Sequence, residues 1–397
     1  MKIVIDARWI IEEPSGIGVY TQELLRRLPV LRPDWHFRIL FRSRGLASVT
    51  IASCGLERYT NIIPTVLPYG VFAPRAQWQV PSLLRRWESD LFHSPNYMIP
   101  YLAFKRHGGG KIRCVATIHD VIPLIMPDHA PKSRKSRMKG LFAFALRETL
   151  RRSDAILTVS ETSKRDLLAA LRQSPDTATK VHAIYNGAAP YFRAEGRRPL
   201  AQAAPDEPRT LLYVGRLDPY KNVVRLIEAF ALAAAELPFP LRLKIVGPPD
   251  PRYPEAMQRA QELGVAGAVN FTGYVTSEEL AEAYRTADLL THPSRYEGFG
   301  LQLVEAMRCG LPIICTDGGA QPEVAGDAAL VVPQDDARAM ADAIVKLLQD
   351  PARLAELQRQ GLDRATLFDW DKTAAAVAAV YQQLHDRPCN TKIKGKG

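Results

Sequence analysis

Thr210-Leu211-Leu212-Tyr213-Val214-Gly215-Arg216-Leu217-Asp218-Pro219-Tyr220-Lys221-Asn222 opens the second half of the chain and points to its fold class. Five β-forming residues run into a glycine, a polar loop with one proline, and the amphipathic stretch Val223–Ala235. That order is strand, turn, helix. A strand of continuous apolar residues is buried on both faces, which calls for a parallel sheet with helices on either side. The loop carries two cations, Arg216 and Lys221, the second near a helix N-terminus. A diphosphate needs a bidentate donor, a point charge and unpaired backbone N–H groups, and all three are offered here. Two solvated charges on a turn would read the same way.

The alternation spreads in both directions. Ahead of it, Lys2–Asp6, Phe37–Phe41, Asn61–Val66, Ile112–Ile118, Ala155–Val159 and Val181–Ile184 are predicted strands. Beyond it come Leu241–Val246, Val269–Thr272, Ala287–Leu290, Pro312–Cys315 and Ala329–Val332, with helices over Ser277–Arg285 and Ala337–Leu348. The pattern occurs twice, and 397 residues suit two domains of normal size. Arg193 to Arg209 holds three prolines and no aromatic residue, so it is taken as the linker. The predicted division is an N-terminal domain over 1–192, a linker over 193–209, a second domain over 210–372, and a helix with a basic tail over 373–397. The helix, Thr373–Leu384, is Ala-rich and is expected to pack back on the first domain. Open parallel sheets hold ligands at the carboxyl ends of their strands, so two facing sheets would place a site in the cleft between them.

Composition narrows the function class. Hydrophobic residues at 47% and charged residues at 24% describe a folded soluble protein. No apolar run approaches the roughly 18 residues of a membrane span. The start, Met1 to Asp6, enters a strand at once, without signal-peptide anatomy. Five cysteines with no C-x-x-C pair argue against a disulfide framework or a zinc site, and Cys309 and Cys315 are read as packing residues. A reducing cytoplasm is expected. The net charge of +10 is uneven, because residues 1–195 hold 29 Lys and Arg against 16 Asp and Glu. Such a basic half suits nucleic acid or an anionic membrane surface. Lys132, Arg134, Lys135, Arg137 and Lys139 run into Leu141-Phe142-Ala143-Phe144-Ala145-Leu146, a composition shared by interfacial segments and by ordinary buried helices.

The stretch richest in chemistry is His292-Pro293-Ser294-Arg295-Tyr296-Glu297-Gly298-Phe299-Gly300-Leu301-Gln302-Leu303-Val304-Glu305-Ala306-Met307. Glu297 falls on a glycine-rich loop and Glu305 inside the next helix. Eight helical residues span about 12 Å at most, comparable to the reach from a sugar across a diphosphate to a ribose. Glycines at 298 and 300 let backbone N–H groups approach a ligand. Leu301, Val304 and Met307 surround Glu305, an uncomfortable setting for a merely solvated carboxylate.

The Glu297–Glu305 pair resembles the E-x7-E motif of glycosyltransferase family 4, retaining enzymes of GT-B fold. The resemblance covers nearly the whole chain. Ser15-Gly16-Ile17-Gly18-Val19-Tyr20 is similar to that family's N-terminal glycine loop, and Thr117-Ile118-His119-Asp120 to its catalytic-histidine strand end. Thr158-Val159-Ser160-Glu161, Tyr185-Asn186-Gly187, Phe271–Val275 and Gly318–Gly326 match further landmarks, and His93-Ser94-Pro95-Asn96 also looks family-like. Gln302 departs from the proline common after Gly-Phe-Gly-Leu. Ile5-Asp6-Ala7-Arg8 resembles the start of the mannosyltransferase-like subgroup that builds bacterial lipopolysaccharide O-antigens and exopolysaccharides.

The resemblance implies two Rossmann-like doubly wound domains, with Arg216 and Lys221 neutralising the donor diphosphate. Gly16 and Gly18 would approach the same phosphate from the opposite domain, and His119 would contact the transferred sugar. Glu297 would hold the sugar hydroxyls, aided by amides around Phe299, Gly300 and Leu301. Glu305 would take the ribose, and Tyr274 and Val275 would border the base. It further implies a nucleotide-sugar donor, GDP-mannose first, and a glycan or polyprenyl-diphosphate-linked acceptor. No cofactor and no metal are implied, and location is cytoplasmic or peripheral at the inner membrane face. Retention then needs no base, since the departing phosphate takes the acceptor proton; Asp120 is the nominee for a double displacement.

Other classes fit less well. A dinucleotide fingerprint fails, since Thr21 stands where its third glycine belongs. Asp369-Trp370-Asp371 has the D-x-D form of metal-dependent transferases but precedes a helix, where capping explains it. A sugar-nucleotide 2-epimerase shares the architecture, and a rhamnosyl or glucosyl donor would leave the same motifs. A catalytically dead sugar-nucleotide-binding subunit would be expected to lose one or more of Arg216, Lys221, Glu297 and Glu305, all of which are present. A nucleic-acid-binding protein rests on the basic pI near 9.4 alone, without a recognition motif.

Overall fold

In the computed structural model, which describes residues 1–12, 15–129, 131–132, 138–197 and 207–388, the apolar runs pair into two parallel sheets. The first contains β1 (Lys2–Ile5), β2 (His36–Phe41), β3 (Ile62–Val66), β4 (Leu91–Ser94), β5 (Arg113–Ile118), β6 (Ala155–Thr158) and β7 (Val181–Ala183). Its spatial order is β3-β2-β1-β4-β5-β6-β7. The second contains β8 (Arg209–Val214), β9 (Leu241–Val246), β10 (Val269–Gly273), β11 (Leu289–His292), β12 (Ile313–Thr316) and β13 (Ala329–Val332), ordered β10-β9-β8-β11-β12-β13. In both sheets the order reverses beside the first strand, between β1 and β4 and between β8 and β11. Ligand crevices of doubly wound sheets open at such a reversal, outside the carboxyl ends.

Two strands differ from expectation. β4 went unpredicted because it is four residues long and half polar, yet it is central and wholly buried. Its polar groups are satisfied inside: His93 Nε2 bonds Thr117 Oγ1 at 2.9 Å, its Nδ1 takes the Tyr381 hydroxyl at 2.5 Å, and Ser94 Oγ donates to the Met98 carbonyl. Burial and the neighbouring His119 push the His93 pKa down to about 3, so the strand carries a neutral imidazole. β11 runs two residues later than predicted, which brings His292 onto the strand itself.

Each unit has its own core. In the second, the helix Val223–Glu236 lays Leu226, Ile227, Phe230 and Ala233 against Leu211, Leu243 and Ile245, with Ile344 and Leu347 of the helix Ala337–Leu348 beside them. Fully buried Leu, Ile or Phe side chains contribute about 1.5–3 kcal/mol each. Cys54, Cys114, Cys309 and Cys315 are buried free thiols, and Cys309 and Cys315 pack as expected. No helix among the described residues is long and apolar enough to cross a membrane.

The contact units are drawn differently from the sequence division. The first takes Met1–Val121, Met138–Asn186 and the chain from Trp370; the second takes Gly187–Asp369 and the segment that opens at Ile122. The second unit begins before residue 193 because the Phe192 ring meets Tyr284 edge-on at 5.5 Å and the Phe192 carbonyl accepts from Arg308. Part of the expected linker is structural, since Arg197 donates to the carbonyls of Tyr284, Arg285 and Ala287 at a helix end. The last helix is Trp370–Asp386, and its buried stripe includes Trp370, Ala374, Val377, Tyr381 and Leu384. Trp370 meets Tyr20, Tyr381 stacks on Trp35, and Asp371 pairs with Arg27 at 2.5 Å. Asp371 of the D-x-D sequence therefore ties this helix down; among the described residues no three His, Cys, Asp or Glu converge as metal ligands.

Candidate active site

At the reversal of the second sheet, β8 ends at Val214, just before Gly215, and β11 ends at His292. From β8 the chain turns through Pro219–Lys221, and Asn222 at φ 60° bends it into the helix Val223–Glu236. That turn carries Lys221 into the interior, where its side chain is only 10% exposed. Its Nζ meets Glu297 Oε1 at 2.6 Å. His292 Nε2 reaches the same oxygen at 3.1 Å. The backbone of Glu297 is fixed too, since its carbonyl accepts the Ala320 N–H at 2.8 Å and it bridges to Gly319. A Cβ at Gly319 would sit 2.4 Å from the Glu297 carbonyl, so only glycine permits this approach.

Electrostatics follows from that geometry. Burial drives the Glu297 carboxyl up, but the Lys221 ammonium and the His292 bond overcome it and hold the group well below the carboxylate range. Burial lowers Lys221, and Glu297 more than restores it. Glu297 is thus ionised, with one oxygen held by two donors and Oε2 without a hydrogen bond among the described residues.

Lys221, which the resemblance gives to the donor diphosphate, is paired with Glu297 in the interior. Arg216 is the exposed cation of the loop, its side chain 60% accessible, with Nε 3.0 Å from Asp218. His292 was quoted in the sequence but given no role. Its nearness to Glu297 follows from β11 ending at 292, which the predicted boundary concealed.

Gly300, at φ 89°, starts the helix Leu301–Arg308 without a side-chain cap, so first-turn N–H groups at Leu301 stay available. Phe299 packs edge-on against Phe368. Glu305 sits on that helix and accepts from the Tyr284 hydroxyl at 2.7 Å. Burial pushes its carboxyl up to about 7, opposed only by the Tyr284 bond. Tyr284 belongs to the helix Ser277–Thr286, which a capping box at Thr276 and Glu279 begins directly after Tyr274 and Val275. Tyr274 is exposed, just past β10. The base, ribose and sugar candidates are therefore linked through one short path of the second unit.

In the first unit the helix Gly16–Leu31 is capped by Ser15, whose Oγ accepts the Gly18 N–H at 3.1 Å. The Gly18 amide, given to a phosphate by the resemblance, is thus engaged by its own helix cap. Gly16 N–H makes no hydrogen bond among the described residues, and a Cβ there would meet none of their atoms within 4 Å. His119 follows β5, with Nε2 2.9 Å from the Pro95 carbonyl and its ring edge-on to Tyr20 at 5.0 Å. Burial pulls its pKa down to about 4 against the Pro95 bond, so the ring is neutral at pH 7 with Nδ1 as an acceptor. Of the basic segment, Arg134, Lys135 and Arg137 lie outside the described residues. Lys132 is committed to Glu255 at 2.7 Å.

Two parallel-sheet units with a glycine-rich carboxylate loop and an adjacent cation at the second sheet's reversal define a glycosyltransferase. The sequence profile described as Glycosyltransferase Family 4 matches residues 14–190, and that of Glycosyl transferases group 1 matches residues 199–364. A D-inositol 3-phosphate glycosyltransferase of Stackebrandtia nassauensis is 31% identical over 400 residues, covering 93% of this chain and 87% of that one. The chain belongs to glycosyltransferase family 4. An O-antigen chain mannosyltransferase B of Escherichia coli is 28% identical over 97% of this chain and 100% of its own. Among solved structures, the sucrose-phosphate synthase of Thermosynechococcus elongatus matches 96% of this chain and 98% of its own with a TM-score of 0.74. At 22% identity that likeness shows the fold.

Proposed function

We propose that this glycosyltransferase moves mannose, with retention, from GDP-mannose to a glycan or lipid-linked oligosaccharide in bacterial surface polysaccharide synthesis. The observation that carries it is Glu297, ionised in the interior with Oε1 fixed by Lys221 and His292 and Oε2 left for sugar hydroxyls. Mannose is favoured by the 28% identical O-antigen chain mannosyltransferase, which matches end to end. Arg216 takes the diphosphate with the amides at Gly300 and Leu301, and Lys221 acts through Glu297. Glu305 takes the ribose hydroxyls, and Tyr274 and Val275 flank the base. In the first unit His119 offers Nδ1 to a sugar hydroxyl, and the amide at Gly16 is open to phosphate.

In the step itself the anomeric carbon parts from the diphosphate oxygen and bonds to the acceptor oxygen on the same face. The acceptor proton passes to the departing diphosphate, so the products are the glycoside and GDP. The protein supplies position and charge, and its residues exchange no proton with substrate. A lipid-linked acceptor would bring the enzyme to an anionic membrane surface. Leu141 and Phe144, 56% and 55% exposed on the helix Lys139–Arg152, support that docking.

A thermal-shift screen against nucleotide sugars tests the donor, because a ligand at about 100 times its dissociation constant adds roughly 2.7 kcal/mol. Stabilisation by UDP-sugars and not by GDP-mannose overturns the mannosyl reading. An anomeric inversion in the product, read by NMR, overturns retention.

A further inference from the structure

Three aromatic rings stand at the carboxyl ends of the first sheet and take no part in the reaction as described. Trp9 follows β1, Phe72 follows β3 and Tyr97 follows β4, so two of them border the crevice where the strand order reverses. Their centroids form a closed triangle: 5.6 Å from Trp9 to Phe72, 6.1 Å from Trp9 to Tyr97 and 6.1 Å from Phe72 to Tyr97. Phe142 meets Tyr97 edge-on at 4.9 Å, and Trp9 Nε1 approaches Ser94 Oγ at 3.4 Å, which fixes two of the rings.

Packing does not consume this cluster. Phe72 is 55% exposed, and Trp9 and Tyr97 are partly exposed. The Tyr97 hydroxyl has no hydrogen-bond partner among the described residues. Arg75, three residues after Phe72, is exposed and stacks over the Tyr69 ring at 4.1 Å. The cluster also lies next to the proposed chemistry: His119 Nε2 bonds the carbonyl of Pro95, two residues before Tyr97. Asp120 is close enough to act electrostatically on the Tyr97 phenol.

We propose that Trp9, Phe72 and Tyr97 form the subsite that holds a pyranose residue of the acceptor glycan beside His119. A pyranose has one face of C–H groups and a rim of hydroxyls. An aromatic ring presents a negative π-face to the C–H groups and excludes water from them. The Tyr97 hydroxyl and Arg75 suit the rim. A lipid surface would favour a flat apolar face at the periphery, whereas this triangle sits at the crevice of the sheet. The inference rests on the glycosyl-transfer reading and assigns its acceptor class.

Saturation-transfer NMR with methyl α-1,3-mannobioside as probe tests it, on the unaltered protein and on Phe72→Ala and Tyr97→Phe. Irradiating aromatic resonances saturates the sugar C–H protons. Phe72→Ala, a change at an exposed ring, weakens the disaccharide about tenfold, or about 1.4 kcal/mol. Tyr97→Phe keeps the stacking and loses the hydroxyl contact, with a smaller effect. GDP binding by thermal shift stays the same in both variants. No transfer to the disaccharide in the unaltered protein, or equal binding in Phe72→Ala, overturns the subsite. So does loss of binding to phosphatidylglycerol vesicles with disaccharide binding intact, which assigns the rings to a lipid surface. The parent reading fails separately, as a protein that binds the disaccharide but no nucleotide sugar.

Discussion

Replacing Glu305 with glutamine should make the protein more stable at pH 8 while weakening its grip on donor. The Glu305 carboxyl is raised from its ordinary 4.5 to about 7 by burial, with only the Tyr284 hydroxyl opposing. The Cys309 thiol is also close, itself pushed up to about 12 by burial, with Glu305 adding to the rise. A group whose folded pKa is raised contributes stability that is complete below the unfolded value. That stability is lost as pH climbs through the folded one. Glu305 therefore favours the fold fully below about pH 4.5 and ceases to do so above about pH 7. The shift corresponds to at most on the order of 3 kcal/mol, reduced by whatever water reaches the site. Glutamine stays neutral, so its variant matches the parent near pH 5 and exceeds it at pH 8. For a domain of this size that is roughly 5–10 °C in Tm at the upper limit. Over the same range a hydrogen bond from ribose to a charged acceptor is lost, worth about 1.5–3 kcal/mol, so GDP binding falls about 10- to 100-fold. Thermal unfolding at pH 5, 6, 7 and 8, with and without GDP, reads both effects. A variant no more stable than the parent at pH 8 refutes the assignment of a strained, buried carboxyl.

Lys221→Met strands the Glu297 charge and should destabilise by about 3–5 kcal/mol, most of it recovered by adding Glu297→Gln; losses that simply add in urea unfolding would mean that the two are uncoupled. Arg216→Ala, at an exposed position, should leave stability within about 0.5 kcal/mol and cut turnover on the order of 100-fold, and near-normal turnover would remove Arg216 from the diphosphate site. His119 is held neutral with a pKa near 4, so turnover should show no titration attributable to it between pH 5.5 and 8, checked by comparing the pH profile with that of His119→Asn. Transfer should persist in EDTA; activity lost there and restored by manganese would assign the diphosphate charge to a metal.

The two-sheet architecture was legible because continuous apolar strands and amphipathic helices alternate in long runs. Twelve of the strands announce themselves in this way, but β4 does not. Its His93 and Ser94 are polar for the sake of partners at Thr117, Met98 and Tyr381, far apart in sequence. The acidic motif was readable from spacing and resemblance, yet spacing could not show that Lys221 turns inward, because that depends on Asn222 adopting positive φ. Nor could it show that Ser15 consumes the Gly18 amide, although Ser at a helix start is a known capping signal. Tyr284 and His292 were hidden for a common reason: each acts through a carboxylate on a different element, and only the folded chain brings them within hydrogen-bond range.

The helix Trp370–Asp386 has a consequence for how this protein is made. The first sheet and its flanking helices are complete in sequence by Asn186, but the ring that bonds His93 and covers Trp35 is Tyr381. On a ribosome adding about 5–20 residues per second, the roughly 200 residues between them take on the order of 10–40 s. During that interval the nascent first unit has His93 Nδ1 without its Tyr381 partner in the central strand, and the Tyr20 and Trp35 rings lack the cover of the last helix. The second unit can fold first in the meantime, reversing the N-to-C order of synthesis. The unfinished face is where a chaperone would be needed, and a chain released before Trp370 would keep it exposed.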